Sequence, residues 1–186
     1  MSVNQQSVTL LVGEAGVTLF RVTTDMSLHQ LAIVDETVRI YGRKDLLFIG
    51  ANTRIDAYCV ITVGDAGVRI GDNVHIGVGV YLFGSGGKIE IGNRCSLSPR
   101  STIYTASDDF RKLGLIGPCN PTEERNVIQG DVVMEEGSAL GHGAVMFPGS
   151  VLEKWAAVGA YVTVKGRFAS GQVVTRAYQH HFTERV

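Results

Sequence analysis

An apolar residue recurs every six positions through most of this chain, and we call these residues the marks of the repeat. In the first half the marks form four triplets, with steps of six inside each triplet and nine between them: Leu28, Val34, Ile40; Ile49, Ile55, Ile61; Ile70, Ile76, Leu82; and Ile91, Leu97, Ile103. After a gap the step of six continues unbroken through Ile128, Met134, Leu140, Met146, Leu152, Val158 and Val164. A helix repeats every 3.6 residues and a simple strand every 2, so a period of six fits neither alone.

The residues around the marks indicate what each six-residue unit is. Two positions before each mark from Ile49 onward the residue is uncharged and mostly small or β-branched, and glycine directly follows the mark at positions 50, 71, 77, 92, 141 and 159. This pattern suits a short strand with a corner, where a small side chain fills the turn and glycine takes an unusual backbone conformation. Three six-residue units would close a triangular coil of 18 residues, and such coils would stack about 4.8 Å apart as parallel strands.

We therefore predict an all-β fold, a parallel β-helix of about six triangular coils. Residues 28–166 would form the helix, residues 1–27 a small N-terminal β cap and residues 167–186 a C-terminal tail. The alternative is a β-sandwich with strands every 8–12 residues. A sandwich does not account for so many consecutive marks in phase.

Composition narrows the functional classes. With 17 basic and 18 acidic residues the formal charge is −1, which does not favour a nucleic-acid scaffold or an anionic-membrane binder. The N-terminus lacks the features of a signal peptide, and no apolar run reaches the roughly 20 residues that span a bilayer. The three cysteines form no CxxC pair, so we expect neither a disulfide framework nor a zinc knuckle. A cytoplasmic location is the resulting expectation.

Insertions in the repeat point to a site at one edge of the prism. The three-residue insertions follow the third mark of each early triplet, and a much longer one, residues 105–125, follows Ile103. Long loops in a compact domain are often functional, and the apolar part of this loop is typical of an arm that packs on a partner. A plain surface loop is the alternative.

Two histidines are candidates for the chemistry. Counting marks from Ile128 makes Leu140 a third-corner residue, so we expect His142 to stack over Thr105 and to project beside Asp108 and Asp109. A histidine near an acidic residue is a common general base at neutral pH, although a solvent-facing corner histidine fits as well. His75 precedes a mark, so it should face outward from a flat side and would line a site if another subunit packed there.

The stretch from Leu47 to Gly166 resembles the left-handed β-helix (hexapeptide-repeat) acyltransferases. The resemblance is carried by IGDNVHIGVGVYLFGSGGKIEIGNRCSLSPRSTIYTASDDF, by NPTEERNVIQGDVVMEEGSALGHGAVMFPGSVLEKWAAVGA and by the final VTVK. The branch it most resembles is that of the bacterial polysaccharide acetyltransferases, including those that act on dTDP-linked amino sugars. The fold implied is a left-handed β-helix.

The resemblance also implies how such a protein works. It implies a homotrimer in which acetyl-CoA lies in a groove between adjacent β-helices and the acceptor sugar binds beside the loop. Asp109 and His75 are then candidates for substrate binding. The residues at positions that contact the coenzyme in this family are Gly141, His142, Gly159, Ala160 and Lys165. Backbone N–H groups at the coil corner are expected to stabilise the oxyanion.

The chain departs from the galactoside and maltose branches where their general-base histidine would stand, because that position is Asp108. Three hypotheses follow: Asp108 is the general base, His142 takes the place of the missing histidine, or no strong base is needed. An amine nucleophile needs less activation by a general base than a hydroxyl, so the third hypothesis is compatible with N-acylation. A PAK-like C-terminal segment is replaced by SGQVVTRAYQHHFTERV.

The leading hypothesis is therefore an acetyl-CoA-dependent acetyltransferase, acting without a metal on a sugar or nucleotide-linked amino sugar for surface polysaccharide (lipopolysaccharide) synthesis. A non-catalytic trimeric β-helix scaffold is the first alternative. A zinc-dependent, carbonic anhydrase-like β-helix is the second, and it is disfavoured because no histidine triad is spaced to hold zinc.

Overall fold

The computed structural model describes residues 27–29 and 31–176, and nearly all of the regular structure in them is β. Sheet A contains β1 (Ser27–Leu28), β4 (Leu47–Ile49), β7 (Val68–Ile70), β10 (Ile89–Ile91), β15 (Val132–Met134), β18 (Val151–Leu152) and β21 (Arg167–Phe168). Sheet B contains β2 (Ile33–Val34), β5 (Arg54–Ile55), β8 (His75–Ile76), β11 (Ser96–Leu97), β16 (Ala139–Leu140), β19 (Ala157–Val158) and β22 (Val173–Val174). Sheet C contains β3 (Arg39–Gly42), β6 (Val60–Val63), β9 (Tyr81–Gly84), β12 (Thr102–Tyr104), β17 (Val145–Met146) and β20 (Thr163–Val164).

The chain passes through sheets A, B and C in turn, and each strand pairs in parallel with the strand one coil along. The result is a β-solenoid of about seven turns, which confirms the predicted all-β parallel architecture. We name its edges by the sheets they join: the A–B, B–C and C–A edges. No helix within the described residues is long and apolar enough to cross a membrane.

The solenoid is longer than the six coils predicted. Strands β21 and β22 pair in parallel with β18 and β19, beyond residue 166. The sequence pattern missed them because the step from Val164 to the next inward residue, Phe168, is four rather than six. The proposed N-terminal cap falls outside the described residues apart from Ser27, as does the proposed C-terminal tail from residue 177.

The marks form the core, as predicted. Ile49, Ile70 and Leu82 are each 0% exposed, and burying such a side chain fully contributes about 1.5–3 kcal/mol. The small residues two positions earlier are buried as well, including Cys59 and Cys95, whose thiol pKa values are raised by burial. A buried thiol with a raised pKa is an inert core residue.

Glycine after a mark has a different cause from the one expected. The left-handed backbone conformation falls three residues after the mark, for example at Asn73, Tyr161 and Trp155. Gly141 instead lies where the next coil comes close, because a Cβ there would stand 2.6 Å from the nitrogen of Ala160. Close approach of two coils, rather than a special φ angle, therefore explains the glycine at this position.

One long segment leaves the solenoid at the C–A edge between β12 and β15. Its base is a two-stranded antiparallel ribbon of β13 (Ala106–Asp108) and β14 (Val127–Gln129). Short 3₁₀ helices occur in this segment at Thr122–Glu124 and in the first coil at Lys44–Leu46. Ile128 lies in this ribbon, so its place in the six-residue series was wrong, and Met134 is the first mark after the loop to enter the solenoid.

Candidate active site

A pocket of about 540 Å³ lies where the long loop leaves the C–A edge. Its size is within the usual range for small-molecule sites. The pocket is lined by Phe83, Ser85, Tyr104, Ala106, Ser107, Asp108, Phe110, Pro118, Arg125, Val127 and Phe147. The lining combines a mostly apolar wall with one carboxylate and one guanidinium group.

The apolar wall is a column of aromatic rings on the outer face of sheet C. Phe83, Tyr104 and Phe147 each follow a mark of sheet C, so successive coils place their rings one above another. The ring centroids are 5.1 Å apart for Phe83 and Tyr104 and 6.0 Å apart for Tyr104 and Phe147. Tyr81, two residues earlier on the same strand, stacks beside Phe83 with ring centroids 5.7 Å apart but does not line the pocket. Residue types at the position after each sheet C mark could have revealed this column from the sequence.

Asp108 stands on the polar wall, where both of its carboxylate oxygens accept hydrogen bonds. Arg125 donates from Nη2 and Nε to Oδ1 at 2.8 and 3.1 Å, and the backbone N–H of Gly117 donates to Oδ2 at 3.0 Å. The side chains of the ion pair are only 13% and 14% exposed. Protonation of Asp108 would neutralise the charge that pairs with Arg125. Arg125 lies 17 positions from its partner, and no sequence pattern links the two.

Asp109 is engaged elsewhere. Its carboxylate accepts from Nε and Nη2 of Arg111 at 2.8 and 3.0 Å, and hydrogen bonding from Arg111 lowers the pKa of Asp109 to about 2. Asp109 does not line the pocket, although it is the neighbour of a residue that does.

His142 does not lie over Thr105, contrary to the expectation from the sequence. Leu140 pairs with Leu97 in sheet B, so His142 lies in the turn at the B–C edge, where its neighbour Gly143 donates to the carbonyl of Pro99 in the coil before. The ring of His142 meets that of Tyr161 edge-on, with centroids 5.2 Å apart. The expectation was wrong because Ile128 does not belong to the solenoid. Counting it as a mark assigns each later mark to the next edge along the chain. Strand β17 of sheet C separates His142 from the pocket.

The remaining coenzyme candidates divide between the same two edges. Gly141, Gly159 and Ala160 share the B–C edge with His142, since β16 and β19 pair in adjacent coils. The backbone N–H groups of Gly141 and Gly159 donate at 2.7 Å to the carbonyls of Val158 and Val174, so the coil already uses these two donors. Lys165 directly follows β20 at the C–A edge, exposed, one coil beyond Phe147.

His75 faces outward from sheet B, as the repeat predicts. Its Nε2 lies 2.8 Å from Oδ2 of Asp56, and the Nε of Arg54 donates to the other oxygen of Asp56 at 2.6 Å. His75 is half exposed, whereas Asp56 is mostly buried. This cluster lies on a flat face, away from the pocket residues. Among the residues described, no three or more His, Cys, Asp or Glu side chains are grouped to hold a metal ion.

Comparison with known proteins identifies relatives. No family model matches the chain. The chain is 32% identical over 132 residues to an Escherichia coli dTDP-4-amino-4,6-dideoxy-D-glucose acyltransferase, covering 71% of this chain and 68% of that protein.

The fold matches solved structures of AntD, an N-acyltransferase from Bacillus cereus. A variant of AntD in complex with dTDP-4-amino-4,6-dideoxyglucose and coenzyme A is 27% identical, with a TM-score of 0.78, and covers 88% of this chain and 86% of that one. AntD in complex with dTDP and 3-hydroxybutyryl-CoA is 28% identical, with a TM-score of 0.76, and covers 82% and 79%. On these grounds the chain belongs to the family of the dTDP-4-amino-4,6-dideoxy-D-glucose acyltransferases.

Proposed function

We propose that this protein transfers an acetyl group from acetyl-CoA to the amino group of a nucleotide-linked amino sugar. The observation that carries the proposal is the similarity to an acyltransferase of a dTDP-linked 4-amino sugar over about two thirds of both chains. The pocket at the base of the loop supports it, because it offers an aromatic wall and a few polar groups to a nucleotide sugar.

The reaction needs one nucleophile and one leaving group. The amine nitrogen of the sugar attacks the thioester carbonyl carbon, a C–N bond forms, and the C–S bond breaks to release CoA. The nitrogen loses one proton and the departing sulfur gains one, so the step needs neither a metal nor a redox partner. We assign the acceptance of the amine proton to His142, because protonation of Asp108 would leave the mostly buried Arg125 without its counter-charge.

A homotrimer would bring the separated parts of this site together. Within one chain His142 turns the B–C edge, whereas the pocket lies at the C–A edge, with sheet C between them. A site that uses both would therefore be formed where the B–C edge of one copy meets the loop of another. The exposed apolar side chains of the loop, Phe110, Leu113 and Ile116, fit such a contact.

The ligand-binding roles follow from this arrangement. Gly141, Gly159 and Ala160 would line the coenzyme groove at the B–C edge, and the exposed Lys165 would approach the phosphates of a bound ligand. His75, oriented by Asp56, would contact the substrate from sheet B of the neighbouring copy. Asp109 has no place in this site because Arg111 occupies its carboxylate. Cytoplasmic location and a role in surface polysaccharide synthesis complete the proposal.

The test is a direct assay with purified protein, acetyl-CoA and dTDP-4-amino-4,6-dideoxyglucose, following CoA release and the acylated sugar by mass spectrometry. Turnover is expected, and a parallel assay with 3-hydroxybutyryl-CoA would define the acyl group. Phe147→Ala should raise the KM for the sugar nucleotide about tenfold, since a lost aromatic stacking contact amounts to about 1–3 kcal/mol. Tyr81→Ala is the matched control because it removes an aromatic ring that stacks on Phe83 outside the pocket. No turnover and no binding of acetyl-CoA would favour the scaffold instead.

A further inference from the structure

The loop that bounds the pocket is held at three points by one ion pair. Asp108 is the last residue of β13, Arg125 closes the 3₁₀ helix before β14, and Gly117 lies about midway between them in the sequence. Asp108 accepts from Arg125 on one oxygen and from Gly117 on the other. The outgoing strand, the middle of the loop and the returning segment are therefore tied to a single carboxylate.

These contacts lie on the pocket rather than at a distance from it. Asp108 and Arg125 both line the pocket, and so does Pro118, the residue after Gly117. The ion pair is mostly shielded from solvent, and losing one partner of a buried pair leaves an uncompensated charge. Removal of either partner should therefore change the shape of this wall and leave a charge facing the acceptor.

We propose that Asp108 and Arg125 are a positioning pair that shapes the acceptor pocket, and that Asp108 does not take part in proton transfer. This inference rests on the proposed function for its kinetic consequence, because a positioning pair of this kind controls binding of the sugar nucleotide. Its structural part, the attachment of Gly117 to Asp108, can be measured without catalysis.

A second ion pair in the same loop is a matched control. Arg111 holds Asp109 through two hydrogen bonds of similar length, and the carboxylate is only 6% exposed. That pair joins residues two positions apart, and neither residue lines the pocket. Arg111→Gln therefore removes an ion pair of the same chemistry without touching the wall.

The kinetic experiment compares Asp108→Asn, Arg125→Gln, the double variant and Arg111→Gln, with Arg125→Lys to keep the charge without the guanidinium geometry. We expect the first two to raise the KM for dTDP-4-amino-4,6-dideoxyglucose about tenfold, equivalent to about 1.4 kcal/mol. Turnover at saturation and the calorimetric Kd for acetyl-CoA should stay within about threefold of the parent. The double variant should be no worse than the single variants because they remove one interaction. Arg125→Lys should be intermediate and Arg111→Gln unchanged.

The rate of amide hydrogen exchange at Gly117, followed by NMR, reports directly on the hydrogen bond from Gly117 to Asp108. Exchange should become faster in Asp108→Asn and Arg125→Gln but not in Arg111→Gln. If Asp108→Asn lowers kcat about a hundredfold or more while Arg125→Gln keeps it, Asp108 acts on the reacting atoms and the inference is overturned. Unchanged Gly117 exchange in both variants overturns it as well. If the exchange result is as expected but no amino-sugar nucleotide is acylated by the parent protein, the proposed function fails instead.

Discussion

The two edges of sheet C differ in how much freedom they give the chain. At the B–C edge the turn is short and repeats from coil to coil, and its left-handed position accepts bulky residues such as Tyr58 and Tyr161 as well as Gly79 and Gly143. At the C–A edge the turn length changes, from three-residue insertions to the long loop, and the left-handed positions of its solenoid turns are glycines, Gly42, Gly67, Gly149 and Gly166. A fixed edge presents backbone and histidine groups in set places, whereas a variable edge can enclose a pocket.

His142 is the residue on the fixed edge that should matter most for rate. His142→Ala should lower kcat by about a hundredfold to ten-thousandfold, the usual contribution of a general base, and leave the affinity for acetyl-CoA nearly unchanged. Steady-state kinetics and calorimetry would measure the two effects. Tyr161→Phe, which keeps the ring against His142, is the control. Unchanged turnover in the alanine variant would remove His142 from proton transfer.

Glycines on the two edges should differ in stability. Gly141→Ala should destabilise by about 2–3 kcal/mol because the new Cβ meets the backbone of the next coil. Gly149→Ala at the C–A edge meets no atom within 4 Å and is penalised only by its φ of +83°, which should amount to about 1 kcal/mol. Urea unfolding of both variants would measure the difference. Equal losses would show that coil spacing at the B–C edge is adjustable.

Two buried serines offer a finer comparison of the same edges. Ser150, after the C–A turn, donates to the carbonyl of Phe147 at 2.6 Å, whereas the buried hydroxyl of Ser101, after the B–C turn, has no partner within the described part of the chain. Ser150→Ala should therefore destabilise by about 1 kcal/mol, and Ser101→Ala should be neutral or stabilising. Thermal unfolding distinguishes these outcomes, and a loss in Ser101→Ala would contradict the comparison.

The smallest predicted effect is a loss of stability at acidic pH. Hydrogen bonding from Arg111 lowers the pKa of Asp109 from 3.8 to about 2. Since the ionised form is favoured in the folded loop, the stabilisation is complete above pH 3.8 and is lost as the pH falls through about 2. Carbon-13 NMR titration of the Asp109 carboxyl should show this midpoint, and Arg111→Gln should move it back toward the ordinary value. A midpoint unaffected by Arg111→Gln would contradict the assignment.

The repeat predicted the core from the sequence because each coil buries one large side chain per side. The inward positions of Ile49, Ile70 and Leu82 follow from the period alone. The prediction was wrong where the period was accidental, at Ile128, and where it changed, between Val164 and Phe168. An antiparallel ribbon can place an apolar residue at a multiple of six without belonging to the solenoid.

The site was harder to predict than the fold. Asp108 was found as a candidate from its position in the family pattern, but its partner Arg125 stands across the loop, and no periodicity links the two. The aromatic column depends on which sheet each coil enters, so Phe147 could be aligned with Tyr104 only once the loop length was assigned correctly. Contacts between residues in a loop and those in a repeat follow neither pattern.

The place of the loop also bears on how the solenoid can assemble. Ile89 pairs directly with Val132, 43 positions later. Elsewhere in the second half one full coil takes only 18 positions, as from Val133 to Val151. Because closure entropy grows with the logarithm of loop length, the longer connection costs only about 0.8 kcal/mol more than the shorter one. Where β15 pairs with β10, burial of one large side chain is enough to offset that penalty, since it contributes about 1.5–3 kcal/mol. Changes in the length of this segment therefore have little effect on the free energy of folding. The length of the loop can vary to suit the ligand that the pocket binds.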